Sequence, residues 1–429
     1  MDRRTFIRTT GAAGATIGAG LNLLPSSVAA EGPASSPGIR ESTHGLPASL
    51  SAAMPISDDE RLARIERARR LMRENNIGAV FLEPGSSMFY YTGVRWGLSE
   101  RPFGLVIPAQ GDLAFITPGF EEERAREVIK FSKDVRVWQE DESPYAKVAQ
   151  ILRDRGVVTG RVGFEERVRF FIADGIRAAA PQLEFVSATP VTAGCRMIKS
   201  AAEIALMQRA NDITIAAYRT AFPTMHVGMT QQELSSAIAA AIQRLGGVSD
   251  GALVLFGVSS AFPHGTTKPA SLKEGDIVLV DGGCTVEGYA ADITRTTVFG
   301  TPTKRQRDIW DLEKRAQDAA FAAARVGATC ESVDAAARKV ISDAGFGPDY
   351  KVPGLPHRTG HGIGLDGHEW TNFVRGNKTA IRPGMCFSDE PTIVIYGEFG
   401  VRLEDCLYIA DDGPHFFSAP SSAIDRPLA

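Results

Sequence analysis

Apolar and polar residues alternate along residues 57–191 with the periods of short helices and strands. Ser57 stands before three acidic residues and a helical apolar pattern that reaches about residue 75, which predicts a capped amphipathic helix. Residues 78–82 are a short apolar run, as expected of a buried strand. The remaining predicted elements are a hairpin of 103–108 and 113–117, helices near 120–131, 144–155 and 168–179, and strands near 134–138 and 161–164. This alternation predicts an α/β domain.

Residues 192–429 follow a different order, in which pairs of helices precede groups of strands. The predicted elements are helices at 201–220 and 229–244, strands within 252–299, helices at 304–326 and 331–344, and strands within 353–409. This order is typical of an α+β fold in which helices cover one side of an antiparallel sheet. We therefore predict a duplicated helix and sheet unit, although the duplication lies only in the order of the elements.

The first thirty residues differ from the rest of the chain. Arg3 and Arg4 precede an apolar pair and another arginine, and residues 11–24 are uncharged and rich in Gly and Ala. Val28-Ala29-Ala30 supplies the small residues that a signal peptidase requires. We therefore predict a twin-arginine signal peptide over 1–30 and export of the folded chain to the periplasm. The Pro, Ser, Gly and Ala of residues 31–56 predict a flexible leader.

Composition excludes several classes of protein. The 429 residues carry 47 Lys and Arg against 51 Asp and Glu, and no basic block or repeated basic face, so we expect no nucleic-acid partner. The net charge of −4 becomes −6 without the first thirty residues, which hold three Arg and one Asp. Apolar runs after residue 60 are shorter than the roughly 18–20 residues that span a bilayer, so we expect no membrane domain. Five cysteines are too few for a disulfide scaffold, and Cys284, Cys386 and Cys406 lie in apolar runs typical of buried free thiols.

Two aspartates in the first strand block are candidates for metal binding. Asp281 ends the apolar run 277–280, and Asp292 lies on the strand that returns after a Glu287-Gly288 turn. Two carboxylates placed in this way on one hairpin can face each other on adjacent antiparallel strands. Because their charges repel, a cation between them would stabilise the pair.

The second strand block supplies three more candidate ligands. His361 lies in a Gly-His-Gly-Ile-Gly stretch, Glu390 precedes Pro391, and Glu404 interrupts an apolar run where a lone carboxylate is costly. One imidazole and four carboxylates form a hard donor set that suits two divalent ions such as Mn, Co, Fe or Zn. Two such ions, about 3.5–4 Å apart, can share a water molecule and activate it as hydroxide.

These segments resemble the metal-binding motifs of the creatinase, prolidase and aminopeptidase P family, the pita-bread metallopeptidases. The similar segments are residues 277–299, the Gly-His-Gly-Ile-Gly stretch, 390–392 and 401–405, together with 196–204, which resembles the opening of the catalytic domain. Residues 57–190 resemble the N-terminal domain of the family. The resemblance implies a creatinase-like α/β domain over 57–191 and a pita-bread catalytic domain over 192–429.

The resemblance also implies a role for each candidate ligand. Asp281 would bind one metal ion, and Asp292 and Glu404 would bridge both ions. His361 and Glu390 would complete the set, and Glu390 would also accept a proton from the attacking water.

Residues outside the ligand set receive roles from the same resemblance. His264 and His368 would contact the substrate, polarise the scissile carbonyl and stabilise the tetrahedral intermediate. Arg402 would orient carboxylates, and His357 and Arg375 are candidates for contacts with the substrate.

Two residues depart from what is common in the family, Gly367 before His368 and Thr392 after Glu390 and Pro391. Both positions are expected near the substrate and neither is a ligand, so these departures bear on the choice of substrate and not on metal binding.

The function favoured by this resemblance is that of a dinuclear metallopeptidase, with manganese as the expected metal, that cleaves Xaa-Pro bonds in dipeptides or short peptides. A small peptide with proline is the expected partner, and relatives commonly form homodimers or homotetramers. One alternative is another reaction on the same scaffold, as in metal-free creatinase or a metal-using dimethylsulfoniopropionate lyase. The other alternative is a noncatalytic pita-bread binding protein. The intact ligand set argues against creatinase chemistry and a noncatalytic role, but it does not exclude the lyase.

Overall fold

The computed structural model describes residues 53–249 and 251–428. The predicted signal peptide and most of the predicted leader lie outside the described residues. Ile56, the last residue of the predicted leader, is buried in an apolar cluster with Leu206 and Met207. Within the described ranges, no helix is both long enough and apolar enough to cross a membrane.

The N-terminal part is a mixed six-stranded sheet between helices. Its elements in chain order are α1 (Asp58–Glu74), β1 (Ile77–Leu82), α2 (Ser86–Thr92), β2 (Gly104–Pro108), β3 (Ala114–Pro118), α3 (Glu122–Val128), β4 (Val135–Trp138), α4 (Pro144–Asp154), β5 (Arg161–Phe164), α5 (Phe170–Ala179), β6 (Glu184–Ser187) and α6 (Thr189–Arg196). The strand order is β4-β3-β2-β1-β5-β6, with β1 antiparallel to β2 and parallel to β5. The predicted boundary after residue 191 falls within α6.

Alternate residues of the central strand β1 face two separate apolar cores. Val80 and Leu82 pack in the cluster that contains residues of α1, whereas Ala79 and Phe81 pack in the cluster that contains residues of α4 and α5. Helices therefore cover both faces of the sheet, which explains why the strands are continuous apolar runs. The predicted cap of α1 is confirmed, because the Ser57 hydroxyl accepts the Glu60 N–H at 3.2 Å.

The C-terminal part contains two helix pairs, each followed by strands. Its elements are α7 (Ala201–Ala221), α8 (Gln231–Arg244), β7 (Leu253–Phe256), β8 (Ile277–Gly282), β9 (Thr285–Val286), β10 (Tyr289–Ala290), β11 (Ile293–Val298), α9 (Lys304–Ala323), α10 (Cys330–Asp343), β12 (Gly360–Gly362), β13 (Glu369–Phe373), β14 (Cys386–Asp389), β15 (Thr392–Ile395), β16 (Phe399–Arg402), β17 (Asp405–Ala410) and β18 (Gly413–Phe416).

Each helix pair covers its own sheet. Helices α7 and α8 share an apolar core with the sheet β11-β8-β7, and α9 and α10 share another with strands of the sheet β13-β12-β14-β17-β18. The predicted duplicated α+β unit is therefore confirmed, as is the α/β fold of the N-terminal part. All five cysteines are buried free thiols, as the sequence predicts for Cys284, Cys386 and Cys406.

Candidate active site

The hairpin of β8 and β11 carries the two predicted aspartates. Asp281 lies on β8 opposite Thr294, and Asp292 comes directly before β11, so the two carboxylates are diagonal neighbours across the pair of strands. The chain turns between them at Glu287 and Gly288, whose φ angles of 51° and 90° suit this tight connection. The register of one hairpin therefore brings these two acids together.

The second sheet places the other three candidates at the same point. His361 lies on β12, Glu390 follows β14, and Glu404 comes directly before β17. Asp389, the last residue of β14, pairs with Asp405, the first residue of β17. Glu390 and Glu404 therefore lie side by side just beyond these two strand ends. The Glu404 N–H donates to the Thr294 carbonyl at 3.2 Å and so joins this sheet to the β8–β11 hairpin.

All five predicted ligands meet in one cluster. Donor atoms of Asp281, Asp292 and Glu404 lie within 4.8 Å of one another, and so do those of His361, Glu390 and Glu404. The His361 Nε2 atom is 3.3 Å from Glu390 and 3.8 Å from Asp292. Glu404 belongs to both groups, which places it at the centre of the cluster.

Four carboxylates in one buried cluster repel each other. Burial, followed by the charges of Asp281 and Glu390, raises the pKa of Asp292 well above its usual range. Burial and the neighbouring acids do the same to the pKa of Glu404, and burial raises the pKa of Glu390 to about 7 despite the opposing charge of Arg402. The site therefore favours an added positive charge.

Two atoms of the cluster show that its donors fit a metal ion. The Oε1 atom of Glu404 is buried and has no hydrogen-bond partner among the described residues. The His361 Nδ1–H donates to the Gly362 carbonyl at 3.0 Å, which leaves the Nε2 lone pair directed at the carboxylates. Burial lowers the pKa of His361 to about 3, so its imidazole is neutral at neutral pH and able to bind a metal.

Arg402 binds one carboxylate of the cluster, that of Asp281. Its guanidinium is buried, contacts the Asp281 carboxylate, and donates to the Thr294 hydroxyl at 3.0 Å and the Pro263 carbonyl at 3.2 Å. Although burial opposes its charge, Asp281 and the other carboxylates raise the pKa of Arg402. This geometry suits the predicted role of orienting a carboxylate.

His368 lies beside the cluster, and His264 directly follows Pro263, which is bound by Arg402. The rings of His361 and His368 are 4.2 Å apart at 85°, and a nitrogen of His368 lies within 4.8 Å of donor atoms of Asp292 and His361. His264 is exposed and follows Pro263, whose carbonyl is bound by Arg402. His368 is therefore near enough to act on a substrate held at the cluster.

Two sequence profiles match the two parts of the fold. Residues 205–411 match metallopeptidase family M24, and residues 64–198 match the creatinase/prolidase N-terminal domain. The chain is 38% identical to an uncharacterized peptidase of Schizosaccharomyces pombe, over 85% of this chain and 83% of that protein. It is 30% identical to an Xaa-Pro dipeptidase of Lactobacillus delbrueckii subsp. lactis, over 84% and 98% of the two chains. The crystal structure of a prolidase from Thermococcus sibiricus is similar, with a TM-score of 0.76, 28% identity, and 84% and 97% of the two chains covered.

The chain belongs to metallopeptidase family M24. The family predicted from the motifs and the enzyme class predicted with it are therefore confirmed, and a noncatalytic binding protein is not supported. Metal dependence is a property of this family, and the cluster of acids around His361 supplies the donors.

This metallopeptidase contains two hydroxyl residues at the site that the sequence analysis missed. The Thr294 hydroxyl donates to Glu404 at 2.7 Å, and the Ser388 hydroxyl accepts the His361 N–H at 3.0 Å. Thr294 is two residues after Asp292, and Ser388 is two residues before Glu390. Because side chains two apart on a strand share a face, the strand period was a signal that could have identified both.

Tyr218 of α7 is a third residue that the sequence analysis missed. Its hydroxyl lies 2.9 Å from the carbonyl oxygens of Gly282 and Ile293, next to Asp281 and Asp292. This buried contact joins the two strand ends that present the aspartates. No pattern in the sequence identifies it, because the tyrosine is on a helix far away along the chain.

His357 contacts one of the two unusual residues of this metallopeptidase. Its Nδ1–H donates to the Arg358 carbonyl at 2.6 Å, so its Nε2 accepts the Thr392 hydroxyl at 3.1 Å. Burial lowers the pKa of His357 to about 4, and the ring is neutral at neutral pH. Both ring nitrogens are occupied, and the predicted contact with substrate stays a prediction.

Arg375 is not brought to the ligand cluster. Its guanidinium is exposed and pairs with Asp349 at 2.5 Å. It lines a separate cavity beside α10, to which none of the five predicted ligands contributes. A role for Arg375 in substrate binding would need a substrate that extends beyond the cluster.

Proposed function

We propose that this protein is a dinuclear metallopeptidase that hydrolyses the Xaa-Pro bond of dipeptides or short peptides. The observation that carries the proposal is the convergence of Asp281, Asp292, His361, Glu390 and Glu404 in a chain of this family. Relatives named Xaa-Pro dipeptidase and prolidase support the substrate class.

The cluster provides donors for two ions. Asp281 and His361 lie at opposite ends, Glu390 contacts His361, and Glu404 is shared between the two groups of donors. Asp292 lies near both Asp281 and His361, which supports a bridging role for it as well as for Glu404. Divalent ions held by these residues would supply Lewis-acid chemistry, including activation of a water molecule near neutral pH.

Side chains of the protein would then have separate roles in hydrolysis of the peptide bond. Glu390, which contacts His361 in the cluster, is proposed to accept the proton that the attacking water loses. We propose that His368 and His264 donate hydrogen bonds to the scissile carbonyl, where negative charge develops in the transition state. Arg402 keeps the Asp281 carboxylate oriented throughout the reaction.

A panel of substrates tests the proposed function. The purified protein, reconstituted separately with Mn, Co, Zn or Fe, is assayed on Xaa-Pro dipeptides, Xaa-Pro-Yaa peptides and matched Xaa-Ala controls. Hydrolysis confined to the Xaa-Pro peptides is expected, and we propose manganese as the most active metal because oxygen donors dominate the cluster. Cleavage of the Xaa-Ala controls at the same rate, or of no peptide at all, would reject the proposal.

We also propose that the protein acts in the periplasm as a homodimer or homotetramer. The paired arginines, the uncharged Gly-rich stretch and the small residues near position 30 support export by the twin-arginine route. Light scattering on the purified mature chain gives the number of subunits directly.

Replacing both Arg3 and Arg4 by Lys is expected to abolish export. Lysine keeps the positive charge but lacks the planar guanidinium that the export receptor is expected to read. Fractionation of cells that express the full chain measures the periplasmic share of the protein. Arg8→Lys is the matched control and should export normally. Unchanged export of the Lys-Lys variant would identify a general secretory signal instead.

A further inference from the structure

A cluster of buried ion pairs joins α6 to the turn that carries His368. Arg196, at the end of α6, contacts Asp366 at 2.5 Å and also contacts Glu369. Lys199 contacts the other oxygen of Glu369 at 2.9 Å. We call these four residues, Arg196, Lys199, Asp366 and Glu369, the Arg196 clamp. Arg196 and Lys199 belong to the segment 196–204, which resembles the opening of the catalytic domain.

The clamp holds both sides of His368. Asp366 lies two residues before the histidine and Glu369 directly after it, and the Asp366 N–H donates to the Glu369 carboxylate at 3.2 Å. No hydrogen bond to the imidazole of His368 is formed within the part of the chain that the structure describes. A side chain at Gly367 would meet nothing within 4 Å, so the space beside the turn is open there. The backbone is therefore held on both sides of His368 by anchored neighbours, of which Glu369 is also paired with Gly362 in the sheet.

The clamp is buried and charged. Exposure of the side chains is 2% for Lys199, 5% for Glu369 and 11% for Arg196. Burial alone would raise the pKa of Glu369, but Lys199 and Arg196 lower it to about 2, so its carboxylate is ionised. Charge-assisted hydrogen bonds of this kind hold their partners in a defined geometry.

The N-terminal domain fixes the other end of the clamp. The Ser86 hydroxyl, at the start of α2, donates to Asp366 at 2.6 Å. The Ser87 hydroxyl accepts from Arg196 at 3.2 Å and donates to the buried Glu165 at 2.9 Å. The turn is therefore tied to residues that are distant from the catalytic strands in sequence.

We propose that Arg196 is a positioning residue that fixes the Asp366–Glu369 turn and so aims the His368 imidazole at the scissile carbonyl. This inference rests on the proposed peptidase function and deepens it. It makes the N-terminal domain a contributor to the geometry of the reaction, although none of its residues belongs to the ligand cluster.

Arg196→Lys tests the proposal in the full, metal-loaded chain. In the wild type the Nη2 atom of Arg196 contacts both carboxylates while Nη1 donates to the Ser87 hydroxyl. Lysine keeps the positive charge, but its single nitrogen cannot make all three contacts from the same backbone position. We expect kcat on the preferred Xaa-Pro peptide to fall roughly 10- to 100-fold, the scale for misplacing a catalytic group by about 1 Å. Metal content and KM should stay close to those of the wild type.

Arg64→Lys is the matched control. Arg64 is also buried and contacts Glu203 of α7 at 3.4 Å and Glu60 at 2.6 Å, but it has no contact with the turn. The kcat of Arg64→Lys should stay near that of the wild type. A fall equal to that of Arg196→Lys would mean that any buried arginine between the two domains matters equally, and would overturn the proposal.

A double-mutant cycle separates positioning from a general structural effect. In the His368→Ala background, Arg196→Lys should cause no further loss of kcat, because the group through which it acts is gone. If the two losses multiply, Arg196 does not act through His368. If Arg196→Lys fails to fold, Ser86→Ala replaces it in the cycle, since it removes only the hydrogen bond to Asp366.

Hydrogen exchange gives a measurement that needs no substrate. Amide exchange of peptides that cover residues 363–371 should be faster in Arg196→Lys than in the wild type or Arg64→Lys, and unchanged exchange would reject the clamp. If the wild type hydrolyses no Xaa-Pro peptide, the proposed function fails, and exchange alone then decides whether Arg196 holds the turn.

Discussion

Asp292→Asn should lose both metal binding and turnover. The amide keeps the size of the side chain but removes a charge that lies within 4.8 Å of donor atoms of both Asp281 and His361. We expect kcat/KM to fall by more than roughly 10³-fold, which corresponds to about 4 kcal/mol of transition-state stabilisation. Metal analysis of the dialysed variant, beside kinetics on an Xaa-Pro peptide, measures both effects.

The same variant should not be less stable than the wild type when both are free of metal. Burial and neighbouring carboxylates raise the pKa of Asp292 in the folded state, so its ionised form opposes folding at neutral pH. A neutral amide removes that cost. Thermal unfolding in a chelator should therefore give an equal or higher Tm for Asp292→Asn, and added metal should stabilise the wild type only.

Asp311→Asn provides the control, because Asp311 is an exposed acid on α9 away from the cluster. It should keep metal, turnover and the response of Tm to metal. Normal hydrolysis by Asp292→Asn that is shown to be free of metal would refute the dinuclear mechanism.

The main elements of the fold could be predicted because their buried apolar residues recur in the sequence with the spacing of a helix or a strand. The strand β1, buried on both faces, is an apolar run, and α1 begins at a serine cap that the structure confirms. The ligands could be found for the opposite reason. Asp281 and Glu404 break apolar strand patterns, and such interruptions are costly unless a partner compensates for them.

Short elements that depend on distant contacts could not be predicted. Helix α2 has seven residues, follows a glycine without a side-chain cap, and packs Tyr90 beneath the Arg64 guanidinium at 4.1 Å. A helix this short is not stable alone, so its sequence carries little signal. The strands β6 and β18, with four residues each at the edges of their sheets, were missed for the same reason.

The residues that surround the ligands also could not be predicted from the sequence. Arg375 lies in the same predicted strand block as three of the ligands, yet it pairs with Asp349 and lines a separate cavity. Tyr218 reaches the site from a helix, and it precedes Gly282, whose carbonyl it contacts, by 64 residues. Only the packing of helices on the sheets decides which of such residues face the cluster.

His368→Ala should separate catalysis from metal binding. His368 is outside the five predicted ligands, and the role proposed for it is to donate a hydrogen bond to the carbonyl oxygen as negative charge develops there. Loss of one such donor lowers kcat by roughly 10²–10³-fold, equivalent to about 2.7–4 kcal/mol, while binding of the ground state changes little. We therefore expect a large fall in kcat with a similar KM, measured on an Xaa-Pro peptide at saturating metal.

Metal content is the decisive companion measurement, because the His368 ring lies only 4.2 Å from that of His361 and could itself bind an ion. The variant should retain the metal content of the wild type, and His415→Ala, which removes an exposed histidine paired with Asp412, should match the wild type in every assay. If His368→Ala loses an ion, the histidine is a ligand. If its kcat is unchanged, the carbonyl is polarised by other groups, with His264 the first to examine.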